Sequence, residues 1–237
     1  WLITVAGRLC LDRLKSADRS RRAYVGPWLP EPILSAIDDQ PDPADRVTLD
    51  DTVRMALLVL LEQLSPAERT AFVLHDVFGL PFDELATVVG RTPAACRQLA
   101  SRARRHIHDH PERPRGEIDR TELDLVARRF ADACSTGSMT ALLEVLDPRV
   151  VGDFDSGGSI PGAPLEPVAG AERVARVLLH AFSGDGFEFT VADVNGEPGV
   201  TVHHAGALAA VIALVERNGR VETLHGIGNP AKLHHLR

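Results

Sequence analysis

Between Leu2 and Leu14 apolar residues return every three or four positions (Leu2, Val5, Leu9, Cys10, Leu14), while Thr4, Arg8, Asp12 and Lys15 fall on a second stripe. That period predicts an amphipathic helix over residues 1–16 with its apolar side packed against partners. The pattern then stops. Pro27, Pro30, Pro32, Pro41 and Pro43 each fix their own φ and bias the preceding residue away from helix, so 23–50 reads as an extended linker with no core of its own. Periodicity resumes at Met55, Leu58, Leu61 and Leu64 behind a capping Asp51. Ser65-Pro66-Ala67-Glu68 is a capping box with proline at the first helical position, and Gly79 closes the helix it opens. A short helix at 82–89 ends at Gly90; Thr92 caps the next, which begins at Pro93 and runs to about 107.

From Thr121 the period changes. Helices are predicted at 121–135, 139–146 and about 170–183, with a strand at Arg149–Asp155 and a Gly/Pro-rich stretch up to Pro167. Strand-like runs follow at 187–194, 200–203, 208–216 and 220–227, separated by Asn195-Gly196, Gly206 and Asn218-Gly219, all strong turn formers. The predicted fold is multi-domain: an all-α helix-turn-helix part, then an α+β part with helices on one face of a curved antiparallel sheet, a cone with a pocket. The expected boundaries are 1–22, a linker at 23–50, 51–110 and 121–237.

Composition narrows the class. The chain has 237 residues, 44% of them hydrophobic and 25% charged, ordinary values for one to two globular domains. No run approaches the roughly 18 to 20 apolar residues a membrane span needs, so no membrane partner is expected. Trp1 is not an initiator and no cleavage site follows the basic first helix, so the chain is expected to start within a longer protein. Three widely spaced cysteines, Cys10, Cys96 and Cys134, suit neither a disulfide framework nor a zinc site and read as reduced core thiols of a cytoplasmic protein.

The net charge of −7 hides a segregation. Arg8, Arg13, Lys15, Arg19, Arg21 and Arg22 crowd 8–22; seven acids and one arginine occupy 31–51; Arg91, Arg97, Arg102, Arg104 and Arg105 occupy 91–106 with no acid. Two basic blocks around an acidic linker are the pattern of a two-point polyanion contact, with solvated helix faces as the lesser alternative. The run from Phe82 to Arg104 supplies the discriminating feature: helix, tight glycine turn, helix, with Leu85, Ala86 and Val89 set to face Cys96, Ala100 and Ala103. Its other side shows Arg97, Gln98, Ser101 and Arg104 or Arg105. Long cationic and amide side chains near a helix N-terminus are what base reading and phosphate clamping require.

Residues 52–108, with Leu64-Ser-Pro-Ala-Glu-Arg-Thr-Ala-Phe-Val-Leu74, Phe82-Asp-Glu-Leu-Ala86 and the arginine-rich second helix, resemble region 4 of bacterial sigma factors. Residues 1–32, through Tyr24-Val-Gly-Pro-Trp-Leu-Pro-Glu-Pro32, resemble the end of sigma region 2 and its linker. They are similar in particular to the extracytoplasmic-function sigma factors of the SigJ type, which carry a SnoaL-like C-terminal domain. Asp155-Ser-Gly-Gly-Ser, Asn195-Gly-Glu-Pro-Gly199 and Asn229-Pro-Ala-Lys-Leu233 match motifs of that domain, with Ser156 in place of the first glycine. The resemblance implies a promoter-specificity subunit with core RNA polymerase and promoter DNA as partners. Thr92 to Arg105 would enter the −35 element, with Arg97 and Gln98 reading bases, Arg91, Arg102 and Arg105 near phosphates, and Ser101 beside them. Thr4, Arg8 and Asp12 would lie on the −10-reading helix, and the acidic linker would thread the polymerase. The SnoaL-like domain would regulate in cis: Asp153, Asp155, Gly157 and Gly158, with the Asn229, Pro230, Lys232 and Leu233 tail, are expected to dock on the helical part and cover an arginine.

Other readings stay open. Val151, Asp153 and Asp155 share a strand face, and His203, His204 and His225 lie on later strands, so a carboxylate with a histidine could do acid–base work in a cone. Paired acids at a strand end more often cap loops or lie at interfaces, His203-His204 borders a turn, and no catalytic residue is assigned. A small molecule in the cone is a possible partner; a one-component repressor with a ligand-sensing cone is the alternative to a sigma factor. The histidines lack metal-ligand spacing, and no metal or cofactor is expected.

Overall fold

The computed structural model describes residues 2–21, 23–35, 55–109 and 120–236. It divides into two compact units: Trp1–Tyr24 with Leu57–Arg113, and Val25–Ala56 with Pro114–Arg237.

The first unit is helical. Its elements are α1 (Leu2–Arg21), α2 (Met55–Gln63), α3 (Pro66–Phe72) running into a π turn at Val73–Val77, α4 (Phe82–Val89) and α5 (Pro93–Asp109). Local signals account for their ends. Ser65 Oγ accepts from Glu68 N at 3.4 Å while Ser65 N donates to Glu68 Oε2 at 3.2 Å, the reciprocal capping box, with Pro66 where no N–H is missed. Gly90 takes φ 71°, the left-handed turn that stops α4. Thr92 Oγ1 accepts from Ala95 N at 3.2 Å and starts α5. Leu85, Cys96, Leu99 and Ala100 are buried in one cluster; Ala103 and Ile107 belong to a second with Leu60, Leu61 and Leu64. Ala103 therefore meets α2, where the sequence pairs it with α4.

Helix α1 packs on α4 through a face the periodicity does not select. A Cβ added at Gly7 would sit 2.6 Å from Val88 Cγ1, so glycine permits the close approach. Leu11 is buried beside it, and Arg8 Nη2 donates to Thr87 O at 3.0 Å. The predicted apolar side is outward: Leu2 is 72% and Leu9 63% exposed, and Cys10 is exposed rather than a core thiol. The backbones approach where the side chain is smallest, which a count of apolar residues does not register.

The second unit is the expected α+β cone. Helices α6 (Arg120–Ser135), α7 (Met139–Val145) and α8 (Ala171–Ala181) accompany strands β2 (Leu146–Asp155), β3 (Val168–Ala169), β4 (Phe187–Val194), β5 (Glu197–His204), β6 (Ala207–Arg217) and β7 (Arg220–Ile227), and α9 (Pro230–Leu233) follows. Strands β4 to β7 form the predicted antiparallel meander. Each of its three turns has both central residues at positive φ: Asn195-Gly196, Ala205-Gly206 and Asn218-Gly219. Strand β2 departs from the all-antiparallel expectation and runs parallel to β7. A tight hairpin cannot make that pair, but the long crossover between them can. One sheet face, through Val200, Val202, Ile212 and Leu224, joins Phe130, Leu142, Val174 and Leu178 of the helices in the core.

The first strand, β1 (Leu34–Ser35), pairs antiparallel with β4 and gives the order β1-β4-β5-β6-β7-β2-β3. It comes from the stretch predicted as a coreless linker. Leu29, Pro30 and Pro32 are buried as well. The remaining linker residues, 36–50, and the connector at 110–119 with Pro111 and Pro114 lie outside the described residues.

Candidate nucleic-acid interface and an anchored chain segment

On α5 the buried positions 96, 99, 100, 103 and 107 define one stripe, and Arg97, Gln98, Ser101, Arg102 and Arg105 are exposed on the other. Arg91 and Thr92 are exposed at the turn before it. The seven residues thus form one exposed face that starts at the turn before a 17-residue helix and runs along it as far as Arg105; the free N–H groups of its first turn add positive potential beside Arg91 and Thr92. Among the described residues Arg91, Arg97, Arg102 and Arg105 form no ion pair. Arg104 differs: its Nε lies 3.0 Å from Asp76 Oδ1, a tie to the π turn. Arg97 lies with its guanidinium 5.7 Å from the Phe82 ring centre, which orients it from α4. Burial pushes the Cys96 thiol up, partly offset by Arg91, so this thiol is packing.

The motif residues of the second unit converge on the segment 25–35, hereafter the strap. Asp155 is buried; its Oδ2 accepts from Leu29 N at 2.9 Å and from Lys232 Nζ at 2.6 Å, and its Oδ1 accepts from Gly157 N at 3.1 Å. Lys232 also donates to Leu29 O and stands 3.6 Å over the Trp28 ring. Asn229 Oδ1 accepts from Ala231 N at 3.0 Å and starts the short helix that carries Lys232, with Pro230 at its first position and Leu233 in the core. Gly158, at φ 75°, is set against Val25, where a Cβ would come within 3.1 Å. At the other end Asn195 Oδ1 accepts from Ile33 N at 3.2 Å, and Asn195 N donates to Ile33 O at 2.8 Å. The sequence sends the acidic segment and the tail against DNA-binding arginines. Within its unit, Asp155 is matched by Lys232 and a strap amide, because a buried carboxylate requires a cation and donors at contact distance. Trp28 and Leu29, apolar residues in a supposed linker, were the available signal.

Asp153 does not join that anchor. It faces the fully buried His225, whose Nδ1 is 3.4 Å from Asp153 Oδ2. Alternation along the strands puts Asp153, His203 and His225 on the sheet face opposite Phe154, Ile212 and Gly226, and these last three line a cavity of about 820 Å3. The carboxylate–histidine pair that acid–base chemistry would use therefore points away from the cavity.

Residues 54–107 match the family described as Sigma-70, region 4. The whole chain is 42% identical over 240 residues to a probable ECF RNA polymerase sigma factor, SigI, of Mycobacterium tuberculosis, covering 79% of that protein. It is 39% identical to the ECF RNA polymerase sigma factor SigJ of the same species, over 98% of this chain and 77% of the relative. Among solved structures, the crystal structure of M. tuberculosis SigJ aligns with a TM-score of 0.72 at 34% identity, over 99% of this chain and 81% of that one.

Proposed function

The chain belongs to the extracytoplasmic-function RNA polymerase sigma factors, which work in transcription initiation, and on that premise we propose how its parts divide the task. The α4–turn–α5 surface reads promoter DNA at the −35 element for core RNA polymerase in the cytoplasm. Arg97 and Gln98 contact bases, and Arg91, Thr92, Ser101, Arg102 and Arg105 hold phosphates. The α+β unit regulates in cis by holding the strap that joins α1 to the helix-turn-helix in the chain. Its relatives are sigma factors rather than enzymes, and no catalytic role is assigned to the cone. The observation that carries the reading is the exposed arginine face of α5, which holds no acid between residues 91 and 106, supported by the Asp155–Lys232 pair that also binds the strap.

The test is transcription from a promoter library with core polymerase and the full-length protein. Arg97→Ala relaxes preference at one −35 position by about 1–3 kcal/mol, whereas Arg102→Ala weakens all promoters alike and lowers the salt slope by about one. A uniform loss for Arg97→Ala would move that residue to the phosphate set. The paired variant Asp155→Asn/Lys232→Met, which removes both buried charges together, raises promoter output; unchanged output would refute regulation through the strap.

A further inference from the structure

The cavity in the α+β unit carries chemistry that the sigma-factor assignment leaves unused. Its walls are Phe154, Val177, Phe182, Phe187 and Ile212, and at about 820 Å3 it lies in the upper part of the range for small-molecule sites. Its rim is cationic. Arg173, Arg176 and His180 follow one another at i, i+3 and i+7 along α8, on one stripe, and His204 stands across from them, tilted against Phe187 at 4.5 Å. Among the described residues Arg176 pairs only with Glu172 at 3.4 Å, both side chains being largely exposed, and Arg173 forms no ion pair. The one acid in the lining, Asp155, has its oxygens taken by Lys232, Leu29 and Gly157.

We propose that this cavity binds an amphiphilic organic carboxylate, with its apolar body against the aromatic wall and its carboxylate at Arg173 and Arg176, and that occupancy strengthens the hold on the strap. A neutral apolar molecule leaves the rim charges unused, and a cation is repelled by them. The link to the strap is the loop that follows Asp155. Its Ile160, Pro161, Ala163 and Pro164 line the cavity, while Gly158 meets Val25, and a Cβ on Gly26 would come within 3.6 Å of Leu165. One short loop thus has the cavity on one side and the strap on the other. Ordering it from either side lowers the entropic cost of contact on the other, and the effect is reciprocal. This second part rests on the strap reading above; the first does not.

The probes are oleate, the anionic dye 8-anilinonaphthalene-1-sulfonate and its neutral relative N-phenyl-1-naphthylamine, titrated into the full-length protein. One saturable dye site displaced by oleate is expected. Arg173→Gln/Arg176→Gln weakens oleate and the anionic dye about tenfold, the scale of two lost exposed ion pairs, and leaves the neutral dye unchanged. Val177→Trp and Ala209→Phe, at half-buried lining positions, each block both dyes without changing circular dichroism. No saturable site, or binding indifferent to the blocking variants, overturns the site; equal loss of both dyes in the arginine variant overturns the carboxylate class. Saturating oleate slows amide exchange of the strap peptide 25–35 severalfold, and unchanged exchange with oleate bound overturns the coupling. Binding is read without polymerase, so its failure leaves the transcription result for Asp155→Asn/Lys232→Met standing, and the converse also holds.

Discussion

Asp155 shows how much one side chain can organise. Its two carboxylate oxygens and its backbone carbonyl tie together the strap, the glycine turn after β2, the end of β7 and α9. The Asp155 and Lys232 side chains are almost wholly buried, so each is worth most as the other's counter-charge. Lys232→Met alone takes the lysine counter-charge from a buried carboxylate and is expected to cost about 3–5 kcal/mol. Adding Asp155→Asn recovers much of that loss, and a chemical-unfolding cycle on the α+β unit reads both. Strict additivity of the two single losses would show that the pair does not act as a unit. Beyond the apolar Trp28 and Leu29, little of this was legible in the residues themselves, because a lysine in a short terminal helix reads as solvated and its partners lie 77 and 203 positions away. Cysteines give a second residue-scale expectation. Cys134 is pushed up to about 12 by burial, so its thiolate is scarce near pH 8, and Cys96 is buried, whereas Cys10 is exposed. Iodoacetamide under native conditions should modify Cys10 first, by mass spectrometry of tryptic peptides; modification of Cys134 at a similar rate would contradict its burial.

Elements were the most legible level, for a physical reason. A capping box, a left-handed glycine and a hairpin turn are settled within a few residues, so Ser65, Gly90 and Asn195-Gly196 do in the structure what their local chemistry predicts. The α5 surface was legible for the same reason: which face of an amphipathic helix is wet follows from the other face being apolar. Contacts between elements were not. Helix α1 carries a row of apolar residues, yet it packs through Gly7, because the distance between two helix backbones is set by the smallest residue at the crossing. Gly7→Ala adds a methyl group into Val88, which is buried and has no long side chain to swing aside. The expected outcome is about 1–3 kcal/mol of destabilisation at this contact, seen as faster amide exchange in α1 with α5 unaffected. Faster exchange across the whole helical unit would instead mean that α1 is part of its folding core.

At the scale of the whole chain, connectivity matters most. The chain leaves the helical unit after α1, contributes 25–35 to the α+β unit, and returns to the helical unit at α2. The α+β unit therefore holds a segment that links two parts of the helical unit in the chain. The strap is held at two places: Trp28-Leu29 by Lys232 and Asp155, and Ile33–Ser35 by Asn195 and the edge of β4. Apart from the Asn195 side chain, the second place uses backbone groups, so the first place, built on the Asp155, Lys232 and Trp28 side chains, is where substitution varies the hold most. Trp28→Ala removes the ring under Lys232 without creating an unpaired charge, and it should raise promoter output in the same direction as Asp155→Asn/Lys232→Met. Because both changes loosen one attachment, their effects should not add: Trp28→Ala in the paired background should give little further change. Exchange of the 25–35 peptide, measured on the same four proteins, should rank them as transcription does. Fully additive effects on output, or a Trp28→Ala protein with a freed strap and wild-type transcription, would separate strap anchorage from promoter control.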